Sequence, residues 1–169
     1  MAHPISLEQA REICEKTPID LDIEHVPLSS ALNRILAEDL ISLVDDPPFD
    51  NSAMDGWAVR SSDQERAEIG TIGAGDTPHS IGPGEAVRIM TGAPIPPGAD
   101  AIVLVEDGIK GPAHTNFIRK QGENIEKGNT TLHSGHLMTP ASISLAATIG
   151  YSEIPVFRKP RVAVISTGN

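Results

Sequence analysis

The chain has 169 residues, 39% hydrophobic and 21% charged, an ordinary globular composition that excludes disorder as its default state. Its formal charge of −10, from 23 acidic against 13 basic residues, repels phosphate backbones and anionic lipid, so neither nucleic acid nor a membrane surface is an expected partner. No apolar run reaches the roughly 18 residues that span a bilayer and the N-terminus lacks the order of a signal peptide, so a cytoplasmic location is expected.

Ser6-Leu7-Glu8-Gln9 has the spacing of a capping box and predicts a helix over Leu7–Lys16, with Leu7, Ala10, Ile13 and Cys14 on one face and Thr17-Pro18 as its stop. The single cysteine, Cys14, then reads as a core thiol. Leu28, Ala31, Leu32 and Ile35 suggest a second short helix, with Pro27 near its start and Ser29 as a cap, before an extended stretch over 37–44. From Pro47 to about Leu137, β-like runs at 57–60, 86–90, 101–105 and 116–119 alternate with Gly/Pro turns, which suits a small barrel or sandwich. Thr139-Pro140 opens another helix, with Ala141, Leu145, Ala146 and Ile149 toward a core and Gly150 as its left-handed end.

The expected fold class is therefore α+β. An elongated helix-containing domain over 1–46 and 138–158 is interrupted by an inserted all-β, barrel-like domain over 47–137. Residues 161–165 form a continuous apolar run ending in Ser166-Thr167-Gly168-Asn169. Such a run reads as a strand buried on both faces, and 159–169 as the opening of an α/β domain of which this chain holds only the first strand. An edge strand pairing back onto earlier sequence is the alternative.

Between Glu38 and Asp55 lie six acidic residues and no basic one. Hard carboxylate oxygens crowded in this way suit Mg²⁺ or Ca²⁺, but Asp, Asn, Ser and Gly also dominate turns because they bond to their own backbone. Phe49 and Met54 read as apolar staples that pin the loop. Farther on, Thr91 and the N–H groups of Gly92 and Ala93 follow a strand and could receive an oxyanion. His133-Ser134-Gly135-His136 lacks a third ligand for zinc and reads as a surface turn.

Two stretches carry a resemblance: Pro47-Pro48-Phe49-Asp50-Asn51-Ser52-Ala53-Met54-Asp55-Gly56-Trp57-Ala58, and Arg88-Ile89-Met90-Thr91-Gly92-Ala93-Pro94 followed by Gly98-Ala99-Asp100-Ala101-Ile102-Val103. With Gly122-Glu123-Asn124-Ile125 and residues 160–168, they resemble the MoeA family, the molybdopterin molybdotransferases that include the E domain of gephyrin. The resemblance implies Mg²⁺-dependent insertion of molybdate into adenylylated molybdopterin with release of AMP, by an enzyme that is a homodimer at full length. Asp55 and Thr91 match the family's functional aspartate and threonine. Asp55 and Asp50 are the implied metal carboxylates, and Asn51, Ser52, Gly92, Ser166, Thr167 and Gly168 the implied cofactor-binding positions. Two departures accompany the match. Glu126-Lys127-Gly128-Asn129-Thr130 lacks an acid that relatives carry after the Asn-Ile step, and the family's next glutamate would follow Asn169. A non-catalytic dimerisation or docking module of the same family is the rival expectation.

Overall fold

The computed structural model describes residues 5–166. In chain order the elements are α1 (Leu7–Lys16), β1 (Ile23–Pro27), β2 (Leu40–Ile41), β3 (Asn51–Ser52), β4 (Gly56–Val59), β5 (Ala67–Ile72), β6 (Glu85–Ile89), β7 (Ala101–Leu104), β8 (Ala113–His114), β9 (Ile118–Arg119), β10 (Thr130–Leu132), α2 (Pro140–Thr148) and β11 (Glu153–Phe157). The class is α+β, with few helices and much sheet. No described helix is long and apolar enough to cross a membrane.

One core draws on both ends of the described chain. Val26, Ala31, Leu36 and Leu40 meet Leu132, Met138, Ala146, Ile149, Ile154 and Val156. Its backbone frame is the antiparallel pair β1–β11, in register from Ile23↔Phe157 to Pro27↔Glu153, together with β2–β10. α2 packs here because the Thr139 hydroxyl accepts from the Ser142 N–H at 3.2 Å while Ser142 Oγ accepts from the Thr139 N–H at 2.7 Å, fixing the start with Ser142 and Ala146 turned inward. Arg34, nearly buried, is held by Glu24 and by the Phe157 carbonyl at 2.8 Å.

The second body is a five-stranded sheet in the order β5-β6-β4-β7-β8, parallel at β5–β6 and antiparallel elsewhere. Side-chain alternation along the strands gives it two apolar faces. Ala58, Val87, Ile89 and Ile102 pack on one with Ile72, Ile81, Ala93 and Ile118. Trp57, Val59, Ala86, Ala101 and Val103 line the other. Pairing runs from β5 to β8 without joining those two strands, so the expected barrel-like closure does not come from a continuous ladder among the described residues.

Two expectations are corrected. The second helix is only a 3₁₀ turn at Leu28–Ser30, because Asn33 adopts a left-handed φ of 59° and the nearby donors go across the fold instead of to the fourth residue back. Leu28 N–H donates to Ser152 O, Asn33 N–H to Met138 O and Leu36 N–H to His136 O. Cys14 is exposed, since α1 buries no residue at all. Apart from these, residues 159–166 do not pair back onto earlier strands as the edge-strand alternative would have them, and Val162, Val164 and Ile165 stand in solvent, Val164 at 94% exposure.

Candidate functional site

The site is assembled where two turns are laced together. On one side β3 passes to β4 through a turn in which the buried Ser52 hydroxyl donates to the Met54 carbonyl at 2.6 Å. On the other, β6 ends in a turn closed by Ala93 N–H donating to Met90 O at 3.0 Å. Gly92 N–H donates to Ser52 O at 2.8 Å, and Ser52 N–H to Ala93 O at 3.0 Å. Gly92 serves the turn with a φ of 82°, which L residues rarely adopt. Gly56 has a different task. A Cβ there would stand 1.9 Å from the Val103 carbonyl oxygen, so only glycine lets β4 lie against β7 directly after the turn.

This lacing brings together Asp55 and Thr91, 36 positions apart. Asp55 Oδ1 accepts from both the Thr91 N–H and the Thr91 hydroxyl, each at 2.7 Å. Those bonds, backbone first, hold the Asp55 carboxyl below the usual carboxylate range, and the charge of Arg88 adds to the effect. Both residues are exposed. Among the described residues nothing donates to Asp55 Oδ2, which leaves one hard, ionised oxygen uncommitted on an exposed side chain.

Three other acids of the 38–55 interval, Asp45, Asp46 and Asp50, are employed in holding the loop. Asp50 accepts from Lys120 Nζ at 2.7 Å and from Gln121 N–H at 2.9 Å, and both contacts pull its carboxyl down. Asp45 accepts from Lys127 N–H at 2.8 Å and from Gln121 Nε2 at 2.7 Å. Asp46 accepts from Asn124 Nδ2 at 2.9 Å, while its N–H donates to Ile125 O at 2.8 Å and Gly122 N–H donates to Pro47 O at 2.9 Å. The 120–127 segment is therefore the clasp of the acidic loop. Polar bonds do the pinning expected of Phe49 and Met54, which are both exposed.

Among the described residues no three His, Cys, Asp or Glu side chains converge into a metal-holding group. Asp55 alone fits a divalent cation, as one oxygen donor to an ion that keeps most of its waters, whereas both oxygens of Asp50 are committed to Lys120 and Gln121. Asn51 and Ser52 are buried, and Asn51 Nδ2 donates to Phe49 O at 3.2 Å, so their side chains shape the turn from within. Ser166 is exposed and lies on no element with Asp55, and Thr167 and Gly168 fall outside the described residues. Sequence reasoning passed over Trp57 and Arg88. They are cross-strand partners, with the guanidinium carbon 4.7 Å from the ring centroid, and the one available signal was an arginine inside the otherwise apolar run 86–90.

Residues 5–150 match the family model of the MoeA N-terminal region (domain I and II), a span that contains both turns and the clasp. The chain belongs to the MoeA family. It is 41% identical to the molybdopterin molybdenumtransferase of Haemophilus influenzae, over 98% of this chain and 45% of that relative. It is also 41% identical to that of Synechococcus elongatus, over 92% and 44% respectively. Among solved structures it is similar to the molybdopterin biosynthesis MoeA protein from Pyrococcus horikosii, with a TM-score of 0.79 and 36% identity over 92% of this chain and 45% of that one. The chain thus spans somewhat under half the length of these MoeA relatives.

Proposed function

We propose that the chain is the N-terminal region of a molybdopterin molybdotransferase and contributes part of the site that inserts molybdate into adenylylated molybdopterin, releasing AMP. The observation that carries this reading is the Asp55–Thr91 contact. The two family motifs meet in an ionised carboxylate that is exposed, fixed by two hydrogen bonds and open on one oxygen. Asp55 would hold Mg²⁺, which would neutralise charge between the carboxylate and an adenylyl phosphate. Thr91 fixes the Asp55 carboxylate, and the exposed Gly92 leaves the turn open to a ligand. Asn51, Ser52 and Asp50 keep the loop in place from behind.

The separate cores support a division into a discontinuous domain, 1–46 with 138–158, and an inserted β-domain over 47–137, although Leu132 packs into the first core. Residues 159–169 would join the molybdopterin-binding α/β domain, and the chain alone would not turn over. The full-length protein would work in the cytoplasm as a homodimer. The non-catalytic docking reading is favoured by one observation, the apolar stripe of α1, none of whose residues is buried by the described residues.

The test is Asp55→Asn in a full-length protein carrying this chain. Molybdate insertion should fall by about tenfold or more, the effect of disturbing a metal-binding carboxylate, with the melting temperature unmoved. Unchanged insertion, or a loss of folding that matches the loss of activity, would sink the catalytic assignment.

A further inference from the structure

Among the described residues Arg88 forms no ion pair, in a chain of net charge −10. Four other arginines are engaged: Arg34 by Glu24, Arg66 through Nη1 by the carbonyls of Ile109 and Gly111 although its Nε too is buried without an acceptor, Arg119 by Glu123, and Arg158 by Asp22 and Glu24. Arg88 Nε is buried with no acceptor, and the guanidinium donates no side-chain hydrogen bond to the described residues. A buried donor without a partner needs a physical reason.

The surroundings supply one. The Arg88 guanidinium carbon sits over the ring of Trp57, its cross-strand partner, and Trp57 is itself anchored by its Nε1–H donating to Glu68 Oε2 at 2.7 Å. Stacking of this kind fixes the plane of a guanidinium while leaving its fork of donors uncommitted. The pairs Trp57↔Arg88 and Gly56↔Ile89 are the last steps of the β4–β6 ladder, and Asp55 and Thr91 lie just past its end.

We propose that Arg88 is the anion-receiving residue of the Asp55–Thr91 site, binding a tetrahedral oxyanion through its Nη1 and Nη2 donors while Trp57, anchored by Glu68, holds it in orientation. The proposal rests on the transferase reading, whose substrates carry two groups of this chemistry, a phosphoryl group and molybdate. A planar, permanently charged fork suits either one. In an acidic chain this arrangement offers an anion a local attraction that the overall field denies it.

Trp57 is the sole tryptophan, so its fluorescence reports directly on the guanidinium above it. Inorganic phosphate and molybdate are titrated separately into the 169-residue chain, with ionic strength held constant by chloride. A saturable change in Trp57 emission is expected with at least one of them, and the anion that binds more tightly identifies the source of the bound group. Arg88→Gln should weaken that binding by about tenfold or more, and Asp55→Asn should tighten it by removing a like charge. Arg88→Lys, which keeps the charge and loses the fork, should still saturate at several-fold higher concentration, and it decides the matter if Arg88→Gln fails to fold. No saturation with either anion, or saturation that Arg88 variants leave unmoved, overturns the proposal. In a full-length protein, insertion activity with an unchanged substrate KM in Arg88→Gln removes the Arg88 assignment and leaves the transferase reading intact. Absence of insertion in the unaltered full-length protein removes that reading whatever the fluorescence does.

Discussion

The two helices begin in the same way and end differently. At α1 the Ser6 hydroxyl accepts from Gln9 N–H at 3.2 Å while Gln9 Oε1 accepts from Ser6 N–H at 2.9 Å, a complete capping box. α2 carries the same reciprocal pair through Thr139 and Ser142. Yet α1 buries nothing, with Leu7 74% exposed, while α2 seats Ser142 and Ala146 in the first core and hands the chain to the fully buried Ile149. Capping decides where a helix starts, and packing decides whether the rest of the molecule depends on it.

That contrast can be broken at several points. The largest effect is expected at Ile149→Ala, which should cost about 2–5 kcal/mol in urea unfolding because it empties a closed position of the first core. Ile13→Ala on α1, where the side chain is 57% exposed, should stay within about 0.5 kcal/mol. If the two variants cost the same, the separation between a docked and an undocked helix is wrong. A finer test removes the caps. Thr139→Ala should lower global stability by about 1 kcal/mol. Ser6→Ala should leave the unfolding midpoint in place and show itself only as faster amide exchange along α1. The smallest expected effect is on Cys14, which should react with a thiol reagent in the folded chain without lag, since no opening of the core is needed to expose it.

Much of this was legible in the residues. The Ser6–Gln9 capping box and the Thr139-Pro140 start are written locally, and they place α1 and the start of α2 where the structure has them. The runs at 57–60, 86–90 and 101–105 became the three central strands of the sheet because an apolar run between turn residues has few other uses. What escaped depends on partners distant in sequence. β5 is an edge strand, mostly exposed and interrupted by Gly70, so it has no apolar run to announce it. Leu28, Ala31, Leu32 and Ile35 have helical spacing, but their segment exchanges hydrogen bonds with 136–138 and β11, and that tertiary demand overrides the period. The aliphatic residues of 161–165 lack a strand to pair with among the described residues.

The site divides along the same line. Asp55 and Thr91 were reached through a resemblance, since nothing in either turn alone says that the other will meet it. The choice between cation site and turn for the acidic interval was open in the sequence because Asp serves both. It was resolved for Asp45, Asp46 and Asp50 only by the donors of the 120–127 segment, which cannot be counted before the chain is folded. Arg88 and Trp57 were each placed on strands, but the register that stacks one on the other belongs to the sheet.

The clasp has a consequence for how the chain could be rebuilt. At Asp46 and Ile125 the chain leaves for the β-region and comes back within a single hydrogen bond, with Gly122 and Pro47 fastened beside them. Departure and return are neighbours, so excising the span between them and splicing the stumps with a short turn would ask the remainder neither to stretch nor to unwind. By the same geometry, the excised piece could be grafted into any host loop whose ends stand equally close.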